Sequence, residues 1–205
     1  MTAKPEDAEQ DTAWVTVETP FDGEYLKGFL EDIERLYRIN ALTEFKEMRQ
    51  TGNGQYHMKI KNLSNGKNLE TDLKVSAGGD GIKVSYSNGL KTATCFKIEP
   101  NADATASLII TDEYGETSAE ERKKRIGEVD KSLAQWGRDI HAYLHMWKRW
   151  SWVPGWRWYM RRVWQPMKPA ARRICYMLFM ITFAEFLMFL FVFLIFWLEL
   201  DKYVG

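Results

Sequence analysis

"GQYHMKIKNLSNGKNLETDLKVSAGGDGIKVSYSNG", residues 54–89, changes character at nearly every residue. Tyr56, Met58 and Ile60 alternate with His57, Lys59 and Lys61. Leu69, Thr71, Leu73 and Val75 alternate with Glu70, Asp72 and Lys74, then Ile82, Val84 and Tyr86 with Lys83 and Ser85. A period of two marks strands with one wet face and one covered face. Asn-Gly pairs at 53–54, 65–66 and 88–89 separate the runs, and this dipeptide is the strongest short hairpin signal. "AGGDG" at 77–81 and "EPNAD" at 99–103 break the chain again. The whole stretch 42–111 therefore predicts six strands in an antiparallel meander whose apolar face needs a cover.

The cover is legible on both sides. Upstream, "AWVTVETP" (13–20) is a short alternating strand stopped by Pro20, and Phe21, Tyr25, Phe29, Ile33, Leu36 and Ile39 then recur at helical spacing. That spacing predicts one bent helix or two short ones. Downstream, Ser118 with Glu121 has the form of a capping box. Ile126, Val129, Leu133, Trp136, Ile140, Leu144 and Trp147 follow every three or four residues, an apolar stripe on a helix of about nine turns. Lys123, Lys124, Lys131 and Arg138 form its solvated face. The long helix is expected to lie across the apolar face of the sheet.

The ends of the chain differ sharply in charge. Residues 1–34 carry ten Asp/Glu and two Lys, and residues 1–12 read as a disordered acidic lead without the apolar core of a signal peptide. Residues 140–184 carry no acid and eight cations. Within them, "WKRWSWVPGWRWYMRRVWQPMKPAARR" (147–173) holds six of the nine tryptophans. Cations interleaved with aromatic rings suit either single-stranded nucleic acid or a lipid interface. The position of this segment immediately before an apolar run favours the interface, so no nucleic-acid partner is expected. The interface residues are Trp150, just ahead of a segment spanning 151–173 that Pro and Gly divide into short pieces, and Trp152, Trp156, Trp158, Arg161, Arg162, Trp164, Arg172 and Arg173 within it.

From Ile174 to Leu198 the chain is nearly all apolar and long enough, at roughly 37 Å as a helix, to cross a bilayer. The basic cluster before it places the preceding domain on the cytoplasmic side and the tail 199–205 on the other. Glu185 interrupts the run. An ionised acid near the centre of a lone spanning helix costs about 2.5–3.5 kcal/mol or more, so Glu185 is expected to be neutral or to meet a polar group on another helix, in a copy of itself or in a larger complex.

The order strand, two short helices, six-strand meander and long helix resembles the helix-grip fold of the START-like, polyketide-cyclase and coenzyme Q-binding superfamily. "ETPFDGEYLKGFLEDIERLYRINALTEFKEM" (18–48) is similar to its opening, in which a Pro follows the first strand. The resemblance covers about 13–150, and the fold class it implies is α+β, a helix grip with one added transmembrane helix. It further implies a cavity between sheet and helix that holds an apolar or amphipathic molecule. The candidate lining residues are Tyr56, Met58, Ile60, Leu73, Val84, Tyr86, Phe96, Trp136, Ile140 and Leu144. The superfamily has no invariant catalytic signature to match.

Chemistry is sparse. His141 and His145 stand four apart on the long helix but lack a third ligand, so no metal site and no cofactor are expected. Cys95 and Cys175 sit far apart, and Cys95 reads as a small strand residue. "GGDG" (78–81) has no helix after it to hold a phosphate and reads as a turn. No catalytic residues are assigned, because few polar groups are expected to point inward. The sequence thus reads as a non-catalytic, membrane-anchored binding domain for a lipid, quinone or isoprenoid at the cytoplasmic face. The alternative is an accessory subunit of an integral membrane complex.

Overall fold

The computed structural model describes residues 12–89, 91–114 and 119–204, with side chains for 12–89, 91–114, 132–199 and 202. The acidic lead, the Ser118 cap and the side chains of Ile126, Val129, Lys123, Lys124 and Lys131 lie outside that description. The chain divides after Pro166 into two compact units.

In the first unit, β1 (Thr12–Glu18) precedes two short helices, α1 (Gly23–Glu31) and α2 (Ile33–Arg38). There are two helices because there are two caps: Asp22 accepts the amide of Tyr25 at 2.8 Å and Asp32 that of Arg35 at 3.1 Å. Six strands follow: β2 (Thr43–Gly52), β3 (Gln55–Asn62), β4 (Asn68–Gly78), β5 (Gly81–Tyr86), β6 (Ala93–Pro100) and β7 (Ala106–Glu113). Each pairs antiparallel with its neighbours, and β1 closes the order β1-β7-β6-β5-β4-β3-β2. The predicted turns are made as written. The glycines of the three Asn-Gly pairs take φ of 66°, 72° and 130°, values open to glycine and strained for other residues.

The long helix α3 (Ala119–Trp150) covers the sheet. Leu133, Trp136, Ile140, Leu144 and Trp147 are all buried, as their spacing predicts. Gly137 permits a close approach, since a Cβ there would stand 3.0 Å from Val15 Cγ2 on β1. Two polar contacts tie α3 to the end of α2: Trp136 Nε1 donates to the Leu36 carbonyl at 3.2 Å, and Asp139 accepts the amide of Ala41 at 2.8 Å. Sheet, α1, α2 and α3 bury one shared core that includes Val17, Leu26, Phe29, Phe96 and Ile110.

After α3 the chain turns at Gly155 into α4 (Trp156–Tyr159) and a π-helical turn, Met160–Trp164. Met160 is buried, and Trp156 and Trp164 pack against the core. Residues 151–166 belong to the first unit. The reason is local amphipathicity: Met160 and Trp164, four apart, face inward while Arg161 and Arg162 remain exposed.

The second unit contains α5 (Pro169–Val204). Its stretch Pro169–Glu199 is long and apolar enough to cross a membrane, and its apolar window is not buried by the rest of the chain. Glu185 is exposed along it.

Candidate functional site

Seven of the ten predicted lining residues, Met58, Leu73, Val84, Phe96, Trp136, Ile140 and Leu144, are buried between sheet and α3. Tyr56, Ile60 and Tyr86 are half-buried and pack against the same cluster. Trp136 organises this interior: its ring meets Phe96 edge-on at 5.4 Å and Tyr37 at 5.1 Å between centroids. A groove of about 330 Å³ opens where β4 turns into β5, beside Asp80, Gly81 and Lys97, and shares Phe96 with the predicted lining.

The expectation that few polar groups point inward is wrong. Asp112 is completely buried. Its Oδ1 accepts from Thr94 Oγ1 at 2.6 Å, its Oδ2 accepts from Tyr114 Oη at 3.3 Å and pairs with Lys91 Nζ. Thr94 Oγ1 lies 2.9 Å from Tyr86 Oη, which lies 2.5 Å from Tyr37 Oη. A hydroxyl carries one proton, so Thr94, by donating to Asp112, must accept from Tyr86, and Tyr86 must in turn accept from Tyr37. The result is a directional chain that starts at Tyr37 and ends at a carboxylate. Burial first, then Tyr86 in the case of Tyr37 and the Asp112 carboxylate in the case of Tyr86, holds both phenols above their usual range, so both stay protonated.

Period two could have found the acid. Ala106, Leu108, Ile110, Asp112 and Tyr114 are alternate residues and all are buried, so Asp112 continues the inward face of β7. Tyr37 lies on the same short helix as Arg35, the second buried polar residue that the sequence does not betray. Arg35 Nε donates to Tyr143 Oη at 2.9 Å within a ring of aromatic side chains.

The remaining candidates scatter. The His141 and His145 rings stand 4.2 Å apart, and His141 Nδ1 donates to the Glu18 carbonyl at 2.8 Å. Burial, then His141, then Lys148 lower the His145 pKa. Among the described residues no three His, Cys, Asp or Glu converge as metal ligands. Burial and a hydrogen bond to Glu113 push the Cys95 thiol up to about 11, which suppresses the nucleophilic thiolate. Of the interface candidates, Trp150, Trp152, Trp158, Arg161 and Arg162 are exposed, whereas Trp156 and Trp164 turn inward. Arg172 and Arg173 belong to α5.

No family model matches this sequence, and no curated protein matches it. Solved structures do match. A START superfamily protein from Mycobacterium smegmatis aligns with 66% of this chain and 98% of its own at 15% identity and a TM-score of 0.52. A second Mycobacterium smegmatis protein covers 68% of this chain and 94% of its own, at 12% identity and a TM-score of 0.51. The di-domain ARO/CYC StfQ from the steffimycin biosynthetic pathway is 14% identical with a TM-score of 0.50, over 70% of this chain and 54% of its own. The fold is START-like: a seven-stranded antiparallel sheet gripping a long helix.

Proposed function

We propose that this protein is a membrane-tethered binding domain that holds one apolar or amphipathic molecule, of the lipid, quinone or isoprenoid kind, between its sheet and α3. One observation carries the reading. A START-like interior lined by Met58, Leu73, Val84, Phe96 and Ile140 occurs in the same chain as a helix apolar enough to span a bilayer. Tethering raises the local concentration of a ligand that itself resides in the membrane. Exposed Trp150, Trp152 and Trp158 with Arg157 and Arg162 hold the first unit at the headgroup layer. The eight cations and no acids of residues 140–184 orient that unit toward the cytoplasm. The interior serves binding, not catalysis: the Asp112 carboxylate is already occupied by Lys91, Thr94 and Tyr114. The test is organic extraction of the full chain purified from membranes, followed by mass spectrometry. A stoichiometric apolar molecule is the expected result; extracts matching a mock purification would refute the reading.

Glu185 favours a second role beside the first. A carboxyl on an otherwise apolar spanning helix is best satisfied by a polar group on another helix, so α5 also docks the domain onto an integral membrane partner or a second copy. Purification in a mild detergent should recover an assembly that Glu185→Leu dissolves. A monomer from the unaltered chain would exclude this role.

A further inference from the structure

Arg35 is 4% exposed, and a buried guanidinium needs both a counter-charge and acceptors for its N–H groups. Three rings surround it, with centroids 4.5 Å (Trp147), 5.0 Å (Phe29) and 5.1 Å (Tyr143) from its central carbon. Aromatic rings attract the charge. For the guanidinium N–H groups they are at best weak acceptors. Nε has its acceptor in Tyr143 Oη at 2.9 Å, while Nη2 is buried without one. Among the described residues no carboxylate pairs with Arg35.

The surroundings reinforce the positive charge. Arg161 stands 5.8 Å from the same Trp147 ring, and Trp164 lies 5.7 Å from Tyr143. Nothing between residues 140 and 184 supplies an acid to offset them. The fold thus presents an apolar, aromatic enclosure around a cation whose fork retains an open valence. Two oxygens of a carboxylate or phosphate match such a fork geometrically.

We infer that Arg35 receives the anionic head of an acidic amphiphile, a fatty carboxylate or a phosphate monoester, whose tail packs against Phe29, Tyr143 and Trp147. The inference rests on the reading that the interior takes an amphipathic molecule and specifies its class: acids are bound in preference to neutral analogues of equal chain length.

The experiment uses the full chain in amphipol and measures equilibrium binding of radiolabelled oleate, monooleyl phosphate and oleyl alcohol. Both acids are expected to bind at least about tenfold more tightly than the alcohol, as a charge-assisted hydrogen bond in a dry site provides. Arg35→Met should bring all three to the alcohol's affinity, and Arg35→Lys should restore only part of the preference because the planar fork is gone. Melting of each variant without ligand shows whether it is folded, and the shift of the melting temperature by oleate should be largest in the unaltered chain, smaller in Arg35→Lys, and in Arg35→Met no larger than the shift by oleyl alcohol. Equal affinity of acids and alcohol in the unaltered chain, or an acid preference that survives in Arg35→Met, overturns the inference and leaves the binding reading standing. Failure of all three probes overturns the binding reading itself. A preference for the phosphate alone or the carboxylate alone upholds the site and identifies which head it takes.

Discussion

Asp112 and Arg35 are charges of opposite sign buried in one small domain, and they are treated differently. Asp112 has Lys91 for its charge and Thr94 and Tyr114 for its oxygens, with Tyr86 and Tyr37 extending the chain behind Thr94. Arg35 has aromatic rings, one phenol and an orphaned Nη2. A buried charge that is paired and hydrogen-bonded at each oxygen acts as a structural fixture, because removing it leaves several partners unsatisfied at once. A buried charge with a valence unfilled is held in place by something else in the fold and is ready for a ligand. The contrast separates what the interior uses to stand up from what it uses to bind.

The contrast makes graded predictions. Asp112→Ala should cost about 3 kcal/mol in urea unfolding, the range for breaking a buried pair from one side, as it strands Thr94, Tyr114 and Lys91 together. A loss below about 1 kcal/mol would erase the distinction. Next, Tyr86→Phe should cost about 2 kcal/mol and Tyr37→Phe about 1 kcal/mol by the same measurement. The ordering follows from position: Tyr86 is a middle link with two partners, whereas Tyr37 stands at the end and donates to Tyr86. The reverse order would contradict the place of Tyr86 in the middle of the chain.

Arg35→Met in the ligand-free chain should change stability by no more than about 1 kcal/mol, or increase it, since an apolar residue of similar length replaces an underpaired charge. A loss as large as that for Asp112→Ala would make Arg35 a fixture after all. The smallest effect lies on the surface. Hydrogen bonding to Lys83 holds the Glu113 carboxyl below its usual range. A depressed folded-state pKa gives stability that is present above the ordinary carboxylate value and lost as pH falls through the folded value. Lys83→Met should remove that acid-side loss, by less than about 1 kcal/mol, in unfolding curves measured between about pH 6 and 3.

Regular structure was legible because period and turn chemistry agree. Asn-Gly at 53–54, 65–66 and 88–89 falls between strands, and every described residue of the α3 stripe is buried. The polar interior was harder to see. Asp112 occupies an inward register position on β7, but in "LIITDEY" an acid after a Thr looks like the start of a turn. Arg35 and Tyr37 lie off the apolar stripe of Ile33, Leu36 and Ile39, on a short helix buried on more than one face, so a one-face periodicity does not reveal them. Within the Trp-rich segment, composition alone does not tell which rings turn inward. Exposed Trp152 and core-packed Trp156 read alike until the turn at Gly155 is known.

The most direct measurement is photolabelling of the full chain in membranes with a long-chain diazirine amphiphile, followed by mapping of the labelled residues. The account predicts label on both walls of the interior, on β-strand residues such as Met58 and Phe96 and on Ile140 or Tyr143 of α3, all displaced by excess unlabelled oleate. Label confined to residues 169–199 would contradict it, because then the greasy helix alone would touch lipid and the gripped interior would be nothing more than packing.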